Sequence, residues 1–155
     1  MSSLGDFFPS DFVQEFSQER GISPGDVLRF HCEFTTPPKE KMLVVVCCDP
    51  LLVLVINSEI NPFILANDNM AACQVDLPVD DHDFLDHDSY VNCVQAHAAF
   101  SMDYARDAIA ADYVNVVEGR VLDVYMRQIY VAVEHSASME RRHKKKILAA
   151  MEQYQ

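Results

Sequence analysis

Residues 41–57 read KMLVVVCCDPLLVLVIN, and this stretch decides the fold. Two runs of valine, leucine, isoleucine and cysteine flank Asp49-Pro50, a pair typical of tight turns, because proline presets its backbone dihedral and aspartate accepts turn hydrogen bonds. Since β-branched residues favour strands, the stretch predicts a hairpin with strands over 42–48 and 51–57. Both runs are apolar at nearly every position, so we expect other elements to cover both faces of the hairpin.

Three more short strands are predicted around this hairpin, over 27–34, 72–77 and 90–94. Five short strands separated by turn residues indicate a small, bent, mainly antiparallel sheet or an SH3-like barrel. The last third of the chain carries apolar residues at helical spacing instead, and its helices are the natural cover for the hairpin.

Helices are predicted at both ends of the chain. Ser10 is placed to cap an N-terminal helix and Gly21 to end it. Ser101 caps a helix to about residue 111, a second helix runs from about 119 to 136, and the last begins near Ser138. The expected fold class is therefore α+β in a single domain over 1–155, with an N-terminal helix (1–23), a barrel-like part (24–100) and a helical part (101–155).

Composition and charge exclude several functions. The chain has 155 residues, 12 Lys plus Arg and 24 Asp plus Glu, for a formal net charge of -12, which on average repels nucleic acids and membrane surfaces. Its four glycines form no phosphate-binding loop or dinucleotide fingerprint, so no nucleotide cofactor is expected. The first residues lack the pattern of a signal peptide, and the longest apolar run is too short to span a bilayer. We therefore expect a cytoplasmic protein without a cofactor or membrane association.

The order of motifs around the hairpin resembles a known family. Gly25-Asp26 opens the first strand, a loop ends in Lys41 before the valine-rich strand, the third strand closes with Ile56-Asn57-Ser58, and the fifth begins at Ser89. Over about 24–94 this pattern is similar to the MazF/PemK toxins, small SH3-like barrels of bacterial toxin-antitoxin modules that cleave RNA without a metal. The resemblance implies a toxin-like protein of such a module or of a related defence system, either an endoribonuclease or an inactive derivative.

Four residues are candidates for cleavage. The resemblance places Lys41 where the family has an arginine, and Ser58 where it has a strand-end hydroxyl that orients the phosphate. Arg29 would join Lys41 in stabilising the charge on phosphorus, and His31 would accept the 2′-hydroxyl proton. Lysine gives a point charge where arginine gives a bidentate fork, which weakens the match. Arg29 and His31 are alternatively exposed polar residues of a half-buried strand.

A second hypothesis, from a different class of function, rests on residues 80–88, DDHDFLDHD. Five carboxylates and two imidazoles in nine residues suit a divalent metal, but His82 and His87 are five residues apart and share neither a helix face nor a strand face. The alternatives are a solvated loop that Phe84 and Leu85 attach to the core, and an acidic patch that binds a basic partner. The second alternative predicts a non-enzymatic interaction protein, an inhibitor or a nucleic-acid mimic.

Cations are concentrated in residues 141–146, RRHKKK. This run is either a phosphate-binding face or a solvated helix face that lies against the acidic barrel or a second copy. The expected partners are thus a protein, either an antitoxin or a basic protein, with RNA as the alternative. Exposed sheet edges and apolar helices also favour a homodimer.

Overall fold

The structure, a computed structural model, describes residues 21–155, and a six-stranded antiparallel sheet organises them. The strands lie side by side in the order β4-β5-β3-β2-β1-β6. Their bounds are β1 (Asp26–Cys32), β2 (Lys39–Cys48), β3 (Leu51–Asn57), β4 (Gln74–Leu77), β5 (Ser89–His97) and β6 (Val117–Arg120). With the helices, this sheet makes the described part an α+β structure.

Within residues 21–155, six helices connect and cover the strands. They are α1 (Pro62–Leu65), α2 (Asp68–Ala71), α3 (Met102–Ala111), α4 (Tyr113–Val116), α5 (Asp123–His135) and α6 (Arg141–Ala150), with short 3-10 turns at Val79–Asp81 and Glu152–Tyr154. The predicted helix after Ser101 is confirmed, because the Ser101 hydroxyl accepts a hydrogen bond from the Tyr104 amide and α3 ends at Ala111.

The predicted hairpin is confirmed, and both of its faces are covered. Val44 opposes Leu54 and Val45 opposes Val53, with Asp49-Pro50 in the turn. Val44 and Leu54 pack with α5 and α6, on what we call the α5 face of the sheet. Val45 and Val53 pack with α3, on the opposite or α3 face. The hairpin therefore forms the middle layer between two apolar cores.

A sixth strand replaces the beginning of a predicted helix. The sequence predicted a helix over 119–136, but residues 117–120 form β6 and α5 begins only at Asp123. In β6, Arg120 opposes Asp26, and its guanidinium donates to the buried Asp26 carboxylate at 2.6 Å. Gly119 is a poor helix residue. Pairing with the free edge of β1 supplies backbone hydrogen bonds that a helix start would not.

Other boundaries differ from the prediction by a few residues. β1 ends at Cys32, β4 begins at Gln74 and β5 continues to His97. The last helix begins at Arg141 rather than near residue 138. The predicted helix after Ser10 lies outside the described residues; Gly21, the first described residue, has a positive φ of 71°.

Because the hairpin lies between two apolar cores, its buried side chains should contribute strongly to the free energy of unfolding. Leu54→Ala should lower the free energy of unfolding by about 2–5 kcal/mol, because Leu54 is completely buried and its loss leaves a cavity. Leu65→Ala is the matched control, since Leu65 is 57% exposed, and should change it by less than about 0.5 kcal/mol. Urea unfolding of both variants measures the difference, and equal losses would contradict the two-layer core.

Candidate functional site

The register of the sheet divides the predicted site residues between its two faces. In an antiparallel pair, residues directly opposite each other point to the same face. Lys41 opposes Phe30, which belongs to the α3 face. Arg29 opposes Met42, which packs on the α5 face, and His31 lies two residues further along the same strand. Lys41 therefore points away from the face that carries Arg29 and His31.

Lys41 is held by a neighbour on its own face. Its Nζ donates to Asn57 Oδ1 at 2.8 Å, from the half-buried end of β2 to the end of β3. Burial, and then the nearby Lys39 ammonium, lower the pKa of Lys41. The sequence placed Lys41 at the end of a loop, which is wrong, because β2 already begins at Lys39, paired with Cys32.

Carboxylates surround Arg29. Its Nε donates to Glu118 Oε1 at 2.7 Å, across from β6. That hydrogen bond is the main cause of a raised pKa for Arg29; burial opposes it, and the charges of Glu118, Glu40 and Asp86 add to it. Three carboxylates therefore act on the one guanidinium and offset its charge.

One small pocket brings together part of the predicted set. It has a volume of about 140 Å³ and lies at the ends of β2 and β3 beside the start of β5. Arg29, Lys41 and Ser58 line it, whereas His31 does not; His31 is exposed and lies 3.2 Å from the Glu33 carboxylate. The complete lining is Arg29, Glu40, Lys41, Met42, Ile56, Asn57, Ser58, His87 and Ser89.

His87 is the imidazole of this pocket, and sequence reasoning did not connect it with Arg29. The sequence placed His87 only in a hypothetical metal site, 58 positions from Arg29 in the chain. Its Nδ1 lies 3.3 Å from the hydroxyl of the buried Ser89, which also lines the pocket. Only the pairing of β5 with β3 brings it there.

The acidic loop over 78–88 is attached to the core and bears exposed carboxylates. Its anchor is His82, which is 2% exposed: Nδ1 lies 3.0 Å from the Pro78 carbonyl oxygen, and Nε2 lies 3.4 Å from the Leu122 amide. Leu85 is buried as well. The reading of a solvated loop attached by apolar side chains is thus confirmed, with His82 as an additional anchor. Among residues 21–155, no group of three or more His, Cys, Asp or Glu side chains is arranged to hold a metal ion.

The loop and the strands beside it form one acidic surface. Phe84 packs against Gly119 of β6, the Tyr125 hydroxyl donates to Asp81, and the charge of Asp86 reaches Arg29. We call this surface the acidic face. Its members are seven carboxylates, Glu40, Asp80, Asp81, Asp83, Asp86, Asp88 and Glu118, of which all but the half-buried Glu118 are exposed.

The basic helix does not lie against the acidic face. Lys144 donates to the carbonyl oxygens of Glu134 and Ser136, at the end of α5. Arg142 lies 3.0 Å from the Glu140 carboxylate. Arg141, Lys145 and Lys146 are exposed. An internal electrostatic role was predicted for this run, and in the structure Lys144 has one. It lies at the carboxyl end of α5, where a cation interacts favourably with the free carbonyl groups.

Comparison of the chain with models of known families and with characterised proteins finds no match. The resemblance to the MazF/PemK toxins therefore remains a prediction from the motifs. Within the described residues, every helix is too short or too polar to cross a membrane.

The two histidines of the acidic loop should respond differently to the same substitution. His82→Phe leaves the Pro78 carbonyl and the Leu122 amide without their partner, so the free energy of unfolding should fall by about 1–3 kcal/mol. His87→Phe should change it by less than about 0.5 kcal/mol, since His87 is exposed. Chemical denaturation compares the two variants, and similar losses would contradict the anchoring role of His82.

Proposed function

We propose that this chain is a non-enzymatic, toxin-like interaction protein that binds a basic protein partner through its acidic face. One observation carries the proposal. Arg29, the arginine nearest to the candidate cleavage pocket, donates to Glu118 and also lies close to Glu40 and Asp86. A phosphate that binds Arg29 would have to compete with these three carboxylates, whereas a lysine or arginine of a protein partner would be attracted to them.

The charge distribution supports a basic partner. The acidic face carries seven carboxylates, three of which act on Arg29, in a chain whose net charge is already -12. Such a field accelerates the approach of a positively charged surface and repels RNA. Because the charges are exposed, salt should screen the attraction strongly.

The loop geometry supports binding by a prearranged surface. His82, Leu85 and Phe84 attach the loop from three sides: to the start of α5, to the core and to β6. A carboxylate presented on an anchored loop loses less conformational entropy on binding than one on a flexible segment. The fixed loop therefore favours recognition of a defined partner over general attraction of cations.

A metal-independent endoribonuclease is the second candidate, and one observation favours it. Arg29, Ser58 and His87 line the same pocket, and these residues could contact a phosphate and accept a proton. His87 would then take the role predicted for His31. Lys41 also lines the pocket, but its Nζ donates to Asn57 and the register directs it to the face opposite Arg29, which argues against the two cations converging on one phosphate.

Binding to a basic probe tests the proposal. A fluorescein-labelled peptide of alternating arginine and alanine should bind the full chain at low salt and dissociate at about 0.3 M salt, as measured by fluorescence anisotropy. Combining Asp80→Asn, Asp83→Asn and Asp86→Asn should weaken binding by about tenfold, since three close charges are lost.

The matched control removes three exposed carboxylates elsewhere, by Asp103→Asn, Asp107→Asn and Glu134→Gln. It changes the net charge equally and should change the affinity by less than about twofold, because long-range charges are screened. Equal weakening by both variants would show that net charge, rather than the acidic face, attracts the probe.

Single-stranded RNA separates the two candidate functions. Incubated with the protein, with and without chelator, the RNA should remain intact. Cleavage that resists chelator and disappears in His87→Ala would overturn the proposal in favour of the nuclease. In that case, RNA cleavage by the Lys41→Ala variant would show whether Lys41, on the α3 face, contributes to the reaction.

A further inference from the structure

An apolar groove of about 560 Å³ lies between α5 and β4, the strand at one end of the sheet. Val75 of β4 and Val131 and Ala132 of α5 form most of its apolar lining. Val131 is 61% exposed, which is unusual for a valine that faces a concave apolar surface. We call this feature the edge groove.

The edge groove runs along an open strand edge. Gln74 and Val75 both line it, although neighbouring side chains of a strand point to opposite faces. Because both residues belong to the strand at the end of the sheet, we place the groove along that edge. Within residues 21–155, β4 pairs with β5 only, so its other edge offers amide and carbonyl groups to a further strand. Open edges of this kind are templates for strand addition.

The charge of the edge groove is opposite to that of the rest of the chain. Arg127 lines the groove, and no aspartate or glutamate does. Arg127 is exposed, and no carboxylate of residues 21–155 forms an ion pair with it. In a chain with twice as many acidic as basic side chains, this local excess favours a negatively charged ligand.

We propose that the edge groove binds an extended acidic and apolar peptide segment of a partner protein, which adds a strand to β4. The backbone of the segment pairs with the open edge, an apolar side chain fills the space between Val75 and Val131, and a carboxylate two residues away on the same face contacts Arg127. This site is separate from the acidic face and takes a ligand of opposite charge. A result that excludes one of the two proposals therefore does not exclude the other.

A second copy of this chain is a poorer occupant. Pairing β4 with itself would place the exposed Asp76 of both copies within one four-residue strand pair. Like charges at that distance are destabilising. Each copy also has a net charge of -12, which opposes association at low salt.

Peptides of defined pattern test the proposal. In TVTETVTE, valine and glutamate share one strand face and threonine occupies the other; TVTKTVTK has the same shape with the opposite charge. Titrated into the ¹⁵N-labelled full chain, TVTETVTE should shift the amide signals of 74–77 and 127–135. TVTKTVTK should shift these same signals with an affinity about tenfold lower, and any binding of it to the acidic face is recognised by shifts at 80–88 instead. Arg127→Gln should remove the difference between the two peptides.

A pair of variants on α5 locates the binding surface. Val131→Asp should weaken binding of TVTETVTE by about tenfold, because it places a carboxylate in the apolar groove. Val124→Asp should leave binding unchanged, since Val124 is equally a valine of α5, is 51% exposed and lies outside the groove.

Four results would overturn the proposal. Equal binding of the two peptides would remove the role of Arg127, and the absence of shifts at 74–77 would exclude strand addition. A concentration-dependent dimer that Val131→Asp converts to a monomer would assign the groove to a second copy. Slow hydrogen exchange of the β4 edge amides in the free monomer would show that a segment of the same chain already pairs with this edge.

Discussion

The pairing of β2 with β3, covered on both faces, is the constraint on which the rest of the structure depends. Val44 and Leu54 point into one core, and Val45 and Val53 point into the other. A shift of one residue would exchange the two sets between cores built from different helices. The register is therefore fixed by packing on both sides, and it determines the face to which every polar residue at the strand ends points.

This register explains why the motifs that resemble the MazF/PemK toxins do not place Lys41 and Arg29 on one face of the sheet. Lys41 and Arg29 are close in the sheet, yet they lie on opposite faces, each with its own partner, Asn57 or Glu118. A cleavage site needs cations that converge on one phosphate. The two recognition surfaces proposed instead have opposite charge, an acidic face beside β6 and a groove beside β4, at the two ends of the same sheet.

Local patterns predicted the elements, and long-range pairings determined the site. The run KMLVVVCCDPLLVLVIN predicted the hairpin, and Ser101 predicted the start of α3, because turn and capping signals are local. Nothing near residues 117–120 indicates that β1 lacks a partner, so β6 was missed, and with it the Arg29–Glu118 contact across 89 positions. His82 and His87 are also indistinguishable in sequence, although one is buried and the other lines a pocket.

The direction of the Lys41 side chain tests the central claim most directly. In a ¹³C-edited NOESY spectrum of the full chain, the Lys41 ε-methylene protons should show contacts to the Phe30 ring and to Asn57, both on the α3 face. Contacts to Met42 and Ile56 instead would place Lys41 beside Arg29. That result would contradict the register and restore the two-cation site of a nuclease.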